Sequence, residues 1–380
     1  MTLLLSWMLF SCRKHYKLNI VAVPVDSEEV AFTFKSYIEC SGSMNGYMCD
    51  GSEMRDLLYD YISTIEPYAD TVSLYFINSG ISPYKGAIEN YATFPAFQHA
   101  TGNKSHSDIA DMLSMIINQQ DSQTVSMFTS DCILDVPDGA APDYMNNRSI
   151  KIKNTFARKL REQPDFAVCI YRLESKYRGA YYYAHSSVPI DTIRPYYLWV
   201  MGNKKAIAAI QSRYPNSSFK HGIKDVVAFN TETTIPCTLM QGAKETDTAV
   251  LKTSRRGFYS SMLKVDLSAT LQDESYLTNI SNYAFSQAGI QVTGVRRIQT
   301  SDHNYTHVVD LSIDSNVNSV SGTLDLLPTT PQWIEAANDD EGTDVFQHIY
   351  QTFGIKYIIG GVADAYKDVT SLAKITLTVL

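Results

Sequence analysis

Between residues 32 and 225, short apolar runs alternate with segments whose apolar residues recur at helical spacing. Residues 34–38, 72–77, 124–128, 166–171 and 196–201 read as strands. Residues 52–65 read as a helix carrying Met54, Leu57, Leu58, Tyr61, Ile62 and Ile65, and 107–118 as another carrying Ile109, Met112, Leu113, Ile116 and Ile117. Further helices are expected at 152–161 and 204–213, and a hairpin through Tyr181-Tyr182-Tyr183 extends the strand at 166–171. Strands separated by helices bury both faces of a sheet, so this half is expected to be α/β, a doubly wound and mostly parallel sheet.

The pattern changes near residue 225. Strand-like runs at 226–229, 263–271, 290–298, 307–313 and 322–326 follow one another through polar turns with few helical periods between them. This predicts an antiparallel β-sandwich-like domain over 226–380. It includes a helical segment at 345–366, interrupted by Gly354, Gly360 and Gly361, and a closing strand at 373–380 that pairs with the sandwich. The length of 380 residues agrees with a division into 30–225 and 226–380, since domains run to ~100–200 residues.

Composition limits the partners. The net charge of −8 is spread along the chain, and the basic pairs Arg255-Arg256 and Arg296-Arg297 stand alone, so no nucleic-acid footprint is present. The 25 tyrosines suit half-buried strands and contact surfaces, because each joins an apolar ring to a polar tip. Residues 1–12 hold an apolar run ending in Leu9-Phe10-Ser11-Cys12. The run is too short to span a membrane and fits the apolar part of a secretion signal. Its end resembles a bacterial lipobox, which implies lipid on Cys12, membrane attachment by that anchor alone and a place in the cell envelope. The lack of a Lys or Arg before the run departs from such signals and leaves a cytoplasmic location as the alternative. Cys40, Cys49, Cys132, Cys169 and Cys237 show no zinc spacing, and Cys40, Cys132 and Cys169 fall in apolar runs that suit buried thiols.

In a doubly wound sheet, ligands bind beyond the carboxyl ends of the strands. Three polar motifs fall at such places: Glu39-Cys40-Ser41-Gly42-Ser43-Met44, then Ser105-His106-Ser107-Asp108 opening a helix, then Thr129-Ser130-Asp131 after a strand. Their order resembles the von Willebrand factor type A family, whose adhesion site reads Asp-x-Ser-x-Ser, a downstream Thr and a later Asp. The resemblance covers roughly residues 32–225. It implies a metal site of Glu39, Ser41, Ser43, Ser107 and Asp131 for Mg²⁺, or Mn²⁺ or Ca²⁺, and a partner protein that offers a carboxylate to the metal. Oxygen-only donors suit those ions and not zinc. Glu39 stands where the family has Asp, and Ser107 where it has Thr. The alternative is a metal-free loop whose hydroxyls cap turns and helices. Asp50, Asp108 and Asp111 read as solvated helix-face acids.

No Walker A, GxGxxG or GxSxG motif is present, and His303 and His307, though four apart, fall in a segment that reads as a strand or turn and not as an HExxH zinc helix. Asp339-Asp340-Glu341 reads as a loop. Three functions follow as expectations: a protein-binding envelope lipoprotein, a metal-free scaffold of the same fold, and a metal-dependent hydrolase built on Glu39 and Asp131.

Overall fold

The computed structural model describes residues 16–22, 30–104, 107–136, 141–183, 186–231, 235–251, 258–270, 272–299, 304–317, 319–327, 330–342, 346–366 and 370–379. Cys12, Ser105, His106 and His303 lie outside them. The fold is mixed α/β. Its first strand, β1 (Tyr16–Ala22), belongs to the sheets of the second half. Strands β2 (Thr33–Glu39), β3 (Thr71–Ile77), β4 (Ile81–Tyr84), β5 (Thr124–Ser130), β6 (Phe166–Tyr183), β7 (Ser186–Asn203) and β8 (Asp225–Phe229) form one seven-stranded sheet, in the order β4-β3-β2-β5-β7-β6-β8.

Alternation of side chains along these strands feeds two cores. Phe34, Ile38, Val125, Met127, Leu198 and Val200 face α1 (Glu53–Ile65), α2 (Phe94–His99) and α5 (Lys204–Arg213). Tyr37, Phe128, Val168, Ile170 and Trp199 face α3 (Ile109–Asn118) and α4 (Ala141–Glu162). The period of two in each strand sends neighbouring residues to opposite layers, and the helices cover both.

The sheet is mixed, not mostly parallel as expected. Only β2 with β3 and β2 with β5 pair parallel; β3 with β4, β5 with β7, β7 with β6, and β6 with β8 are antiparallel. Parallel neighbours need a crossover, and no helix lies between β6 and β7, so the chain returns by a hairpin. The run at 226–229, expected to open the sandwich, is β8 and closes this sheet instead.

In the second half, β9 (Cys237–Gln241), β10 (Lys244–Thr246), β11 (Thr248–Leu251), β12 (Phe258–Val265), β13 (Tyr283–Phe285), β14 (Ile290–Arg297), β15 (His307–Asp314) and β16 (Val320–Leu326) share two five-stranded antiparallel sheets with β1 and β19 (Thr370–Val379). A short helix, α6 (Glu274–Thr278), precedes β13. The sheet orders are β11-β1-β19-β16-β13 and β10-β9-β12-β15-β14. Leu18, Ile20, Leu251, Leu324 and Ile375 of one sheet meet Leu239, Leu263, Val309 and Leu311 of the other in one core.

The helical segment near the C-terminus, grouped by its sequence with the sandwich, packs on the α/β half. Helices α7 (Gln332–Ala336) and α8 (Ile355–Ala365) flank the short parallel pair β17 (Asn338–Asp339) and β18 (Thr352–Phe353). Ile355, Ile358, Ile359 and Val362 make one apolar stripe that joins Ile152 and Phe156 of α4. Gly361 lets the helices approach: a Cβ there would stand 2.5 Å from the Ser149 carbonyl oxygen.

β6 and β7 are 18 residues each and outrun β5, whose pairing with β7 ends at Ser130 opposite Tyr197. The excess hairpin lies over the turn that follows β2. A Cβ on Gly46 would meet the Tyr177 ring at 2.3 Å, and one on Gly179 would stand 2.9 Å from the Gly46 Cα. Gly46→Ala should therefore destabilise the protein by about 1–3 kcal/mol, the range for overpacking a filled interior. Denaturant titration of the variant would show it. An unchanged midpoint would mean that the hairpin is not seated on this turn.

Candidate functional site

β2 is the strand at which the order of the sheet turns, with β3 on one side and β5 on the other. A crevice opens at such a point beyond the carboxyl ends of the strands. Glu39 ends β2, Ser130 ends β5, and Asp131 follows it. The register Ile38 opposite Thr129 places them side by side.

Glu39 is fully buried and held by serines. Ser107, just ahead of α3, donates to Glu39 Oε1 at 2.5 Å, and Ser130 donates to Oε2. Ser130 Oγ also accepts the Cys132 N–H at 2.7 Å, and Asp131 Oδ1 accepts the Ile133 N–H at 3.2 Å. These local bonds hold the chain in a tight turn in which Cys132 has a φ of 54°. Such side-chain bonds to the nearby backbone offer an alternative to continuing the strand. On the other wall, the Ser41 and Ser43 hydroxyls lie 3.0 Å apart. All five residues singled out in the sequence thus meet at one place.

The hairpin roofs it. Ser175 Oγ accepts the Met54 N–H at 3.1 Å and Glu53 accepts the Lys176 N–H at 2.6 Å, which pins the hairpin to the start of α1. Tyr47 donates to the Pro195 carbonyl at 2.5 Å and meets Tyr177 edge-on at 4.9 Å. Beneath this roof sits Arg194, 1% exposed. Its guanidinium lies 3.9 Å from the Tyr181 ring centroid and 5.8 Å from that of Tyr177. None of its three nitrogens has a hydrogen-bond partner, and neither has Asp131 Oδ2. Sequence reasoning missed Arg194, since nothing in Ile193-Arg194-Pro195 marks a charge as buried. Ser130 was visible inside its motif but not singled out.

Burial, then the neighbouring Asp131 charge, pushes Glu39 up to about 7, against the pull of the Ser107, Ser130 and Ser41 hydroxyls. Burial also raises Asp131, opposed by the Ser43 hydroxyl, the Arg194 guanidinium and the Ile133 N–H. The remaining acids are spoken for: Asp108 caps α3 and pairs with Arg148 at 2.9 Å, Asp111 pairs with Lys151, and Asp50 pairs with Arg55 at 3.0 Å.

The oxygen chemistry of the five residues is right for Mg²⁺, which takes about six oxygen ligands. Their arrangement is not. Both Glu39 oxygens are engaged by serine hydroxyls, and a buried guanidinium already acts on Asp131. Among the described residues, no group of three or more His, Cys, Asp or Glu is placed so that it could hold a metal ion. A divalent ion would have to break the serine bonds and share the enclosure with a fixed cation, so the residues present do not fit one.

The pH dependence of stability is a direct readout of Glu39. A carboxyl whose folded pKa is raised stabilises the fold at low pH, and that contribution is lost as pH rises through the folded value. Against Glu39→Gln, which keeps the shape without the charge, wild type should lose this stability as pH rises from about 4.5 through about 7. Parallel melting curves of the two proteins over that range would contradict the burial of Glu39.

No family model matches the chain, and no curated protein matches it.

Proposed function

We propose that the chain is a protein-binding module of the von Willebrand factor type A-like kind, recognising its partner at the end of the seven-stranded sheet and working without a resident metal. The observation that carries this reading is the convergence of Glu39, Ser41, Ser43, Ser107 and Asp131, from three separate loops, at the point where the strand order turns. The order β4-β3-β2-β5, with β4 antiparallel at the edge, supports the likeness.

The surface over the site suits recognition. Gly42, Ser43 and Ser107 are partly exposed, and Tyr182, 51% exposed, lies above Gly42. Tyrosine at such a rim supplies contact area and a polar tip together. Lipid on Cys12 would hold the module at the cell envelope, four residues ahead of β1. No helix among the described residues is long and apolar enough to cross a membrane.

Two experiments test this. Captured partners from envelope extracts should bind Tyr182→Ala or Ser43→Arg at least tenfold more weakly, a loss of about 1.4 kcal/mol, and EDTA should have no effect. Loss of capture on Met262→Asp in the sandwich, with the two rim variants unimpaired, would move the recognition surface elsewhere. For the anchor, Cys12→Ser should shift the protein from the membrane to the soluble fraction and remove acyl labelling; unchanged fractionation would rule out the lipid.

A further inference from the structure

Arginine does not deprotonate in proteins, so a buried Arg194 is a buried positive charge. Burying a charge costs several kcal/mol unless something compensates it. Here no hydrogen bond does, because Nε, Nη1 and Nη2 are all unpartnered. What surrounds the guanidinium is the faces of Tyr177 and Tyr181 and, across the enclosure, the Asp131 carboxylate, whose Oδ2 is equally unpartnered. Ring faces attract a cation through their quadrupole, and the Asp131 carboxylate, which makes no direct ion pair with the guanidinium, still feels its charge.

The placement follows from the fold. Arg194 pairs with Ser175 in the hairpin register, three residues past the point where β5 stops beside Tyr197. It therefore stands past the end of β5, at the end of the sheet where the five oxygen-bearing residues gather. A divalent ion at that point would face a like charge that can neither titrate nor leave, in surroundings of low dielectric where such repulsion is strong.

We infer that Arg194 is the resident cation of this site: its guanidinium supplies the positive charge that a divalent ion would otherwise bring to these oxygens, and so excludes the ion. The inference goes beyond partner recognition and stands on the side chains alone. Because Arg194 makes no hydrogen bond, its replacement breaks none in the fold, and a neutral residue there tests charge in particular.

The experiment is titration of the purified full chain with Mn²⁺ or Mg²⁺ alone, followed by calorimetry and, for Mn²⁺, by electron paramagnetic resonance. Wild type should bind neither ion at this site at millimolar concentration. Arg194→Gln and Arg194→Met, each checked for folding by circular dichroism, should bind Mn²⁺ at least tenfold more tightly than wild type. Adding Asp131→Asn should cancel that gain. Two results overturn the inference: Mn²⁺ binding by wild type that Asp131→Asn abolishes, or a folded Arg194→Gln that binds no more tightly than wild type. The wild-type arm decides against it even if both Arg194 variants fail to fold. Metal titration reads the cation whether or not a partner binds, so its failure is distinct from failure of the recognition reading.

Discussion

Parallel pairing of β2 with β5, from Thr33 opposite Thr124 to Ile38 opposite Thr129, decides what the site can be. It brings a glutamate at the end of one strand beside a serine at the end of the other and the aspartate that follows it. A one-residue slip would reverse every face, sending Phe128 and Tyr37 to the wrong layer and breaking both cores. The register is thus held by burial along the whole strand. The polar cluster at its end inherits its position from that register, and its own hydrogen bonds shape the turn there.

On that base the hairpin closes the site and changes its electrostatics. Strands long enough to outrun β5 carry tyrosines out over the loops, and Tyr47, Tyr177 and Tyr181 line the enclosure with rings in place of water. This is where the high tyrosine content acts: an aromatic roof admits a guanidinium against its faces while keeping the carboxylates desolvated. Desolvation raises Glu39 and Asp131 together, and the serine hydroxyls and Arg194 pull them back. The two carboxylates therefore sit in balance with hydroxyl donors and one fixed cation, which is a different solution from oxygen ligands around an ion.

Much of this was legible in the sequence where a local rule applies. Helical spacing located α1 and α3 to within a residue or two, since their apolar stripes repeat and Ser52 and Asp108 cap them. Polar motifs after apolar runs located Glu39, Ser41, Ser43, Ser107 and Asp131. What failed depended on partners far away in the chain. The antiparallel right-hand side of the sheet followed from a missing helix between β6 and β7, a weaker signal than a present one. The apolar stripe of α8 told that it is covered and not by what, and Gly361, read as an interruption, is the point of closest approach to α4. Arg194 had no local mark at all, because its burial is produced by the overhang of the hairpin.

The division into two halves is also less separable than consecutive boundaries suggest. Among the described residues, the path runs from the sandwich with β1 to the α/β half, returns for β9 to β16, crosses again for α7 to α8, and comes back to the sandwich with β19. The last excursion braces the site from below: the Leu134 N–H donates to the Phe353 carbonyl at 3.1 Å, Tyr197 donates to Thr352 Oγ1 at 3.1 Å, and Arg172 donates to the Tyr350 carbonyl at 2.8 Å. Leu134 lies three residues past Asp131, so the segment that fixes the carboxylate loop is tethered at both ends to sandwich strands, β16 and β19. Cutting the connection after β8 would leave the halves joined by the other crossings. A load on the sandwich strands β16 and β19 is therefore passed along the chain to this segment and from it, through the Leu134–Phe353 hydrogen bond, to the Asp131 loop.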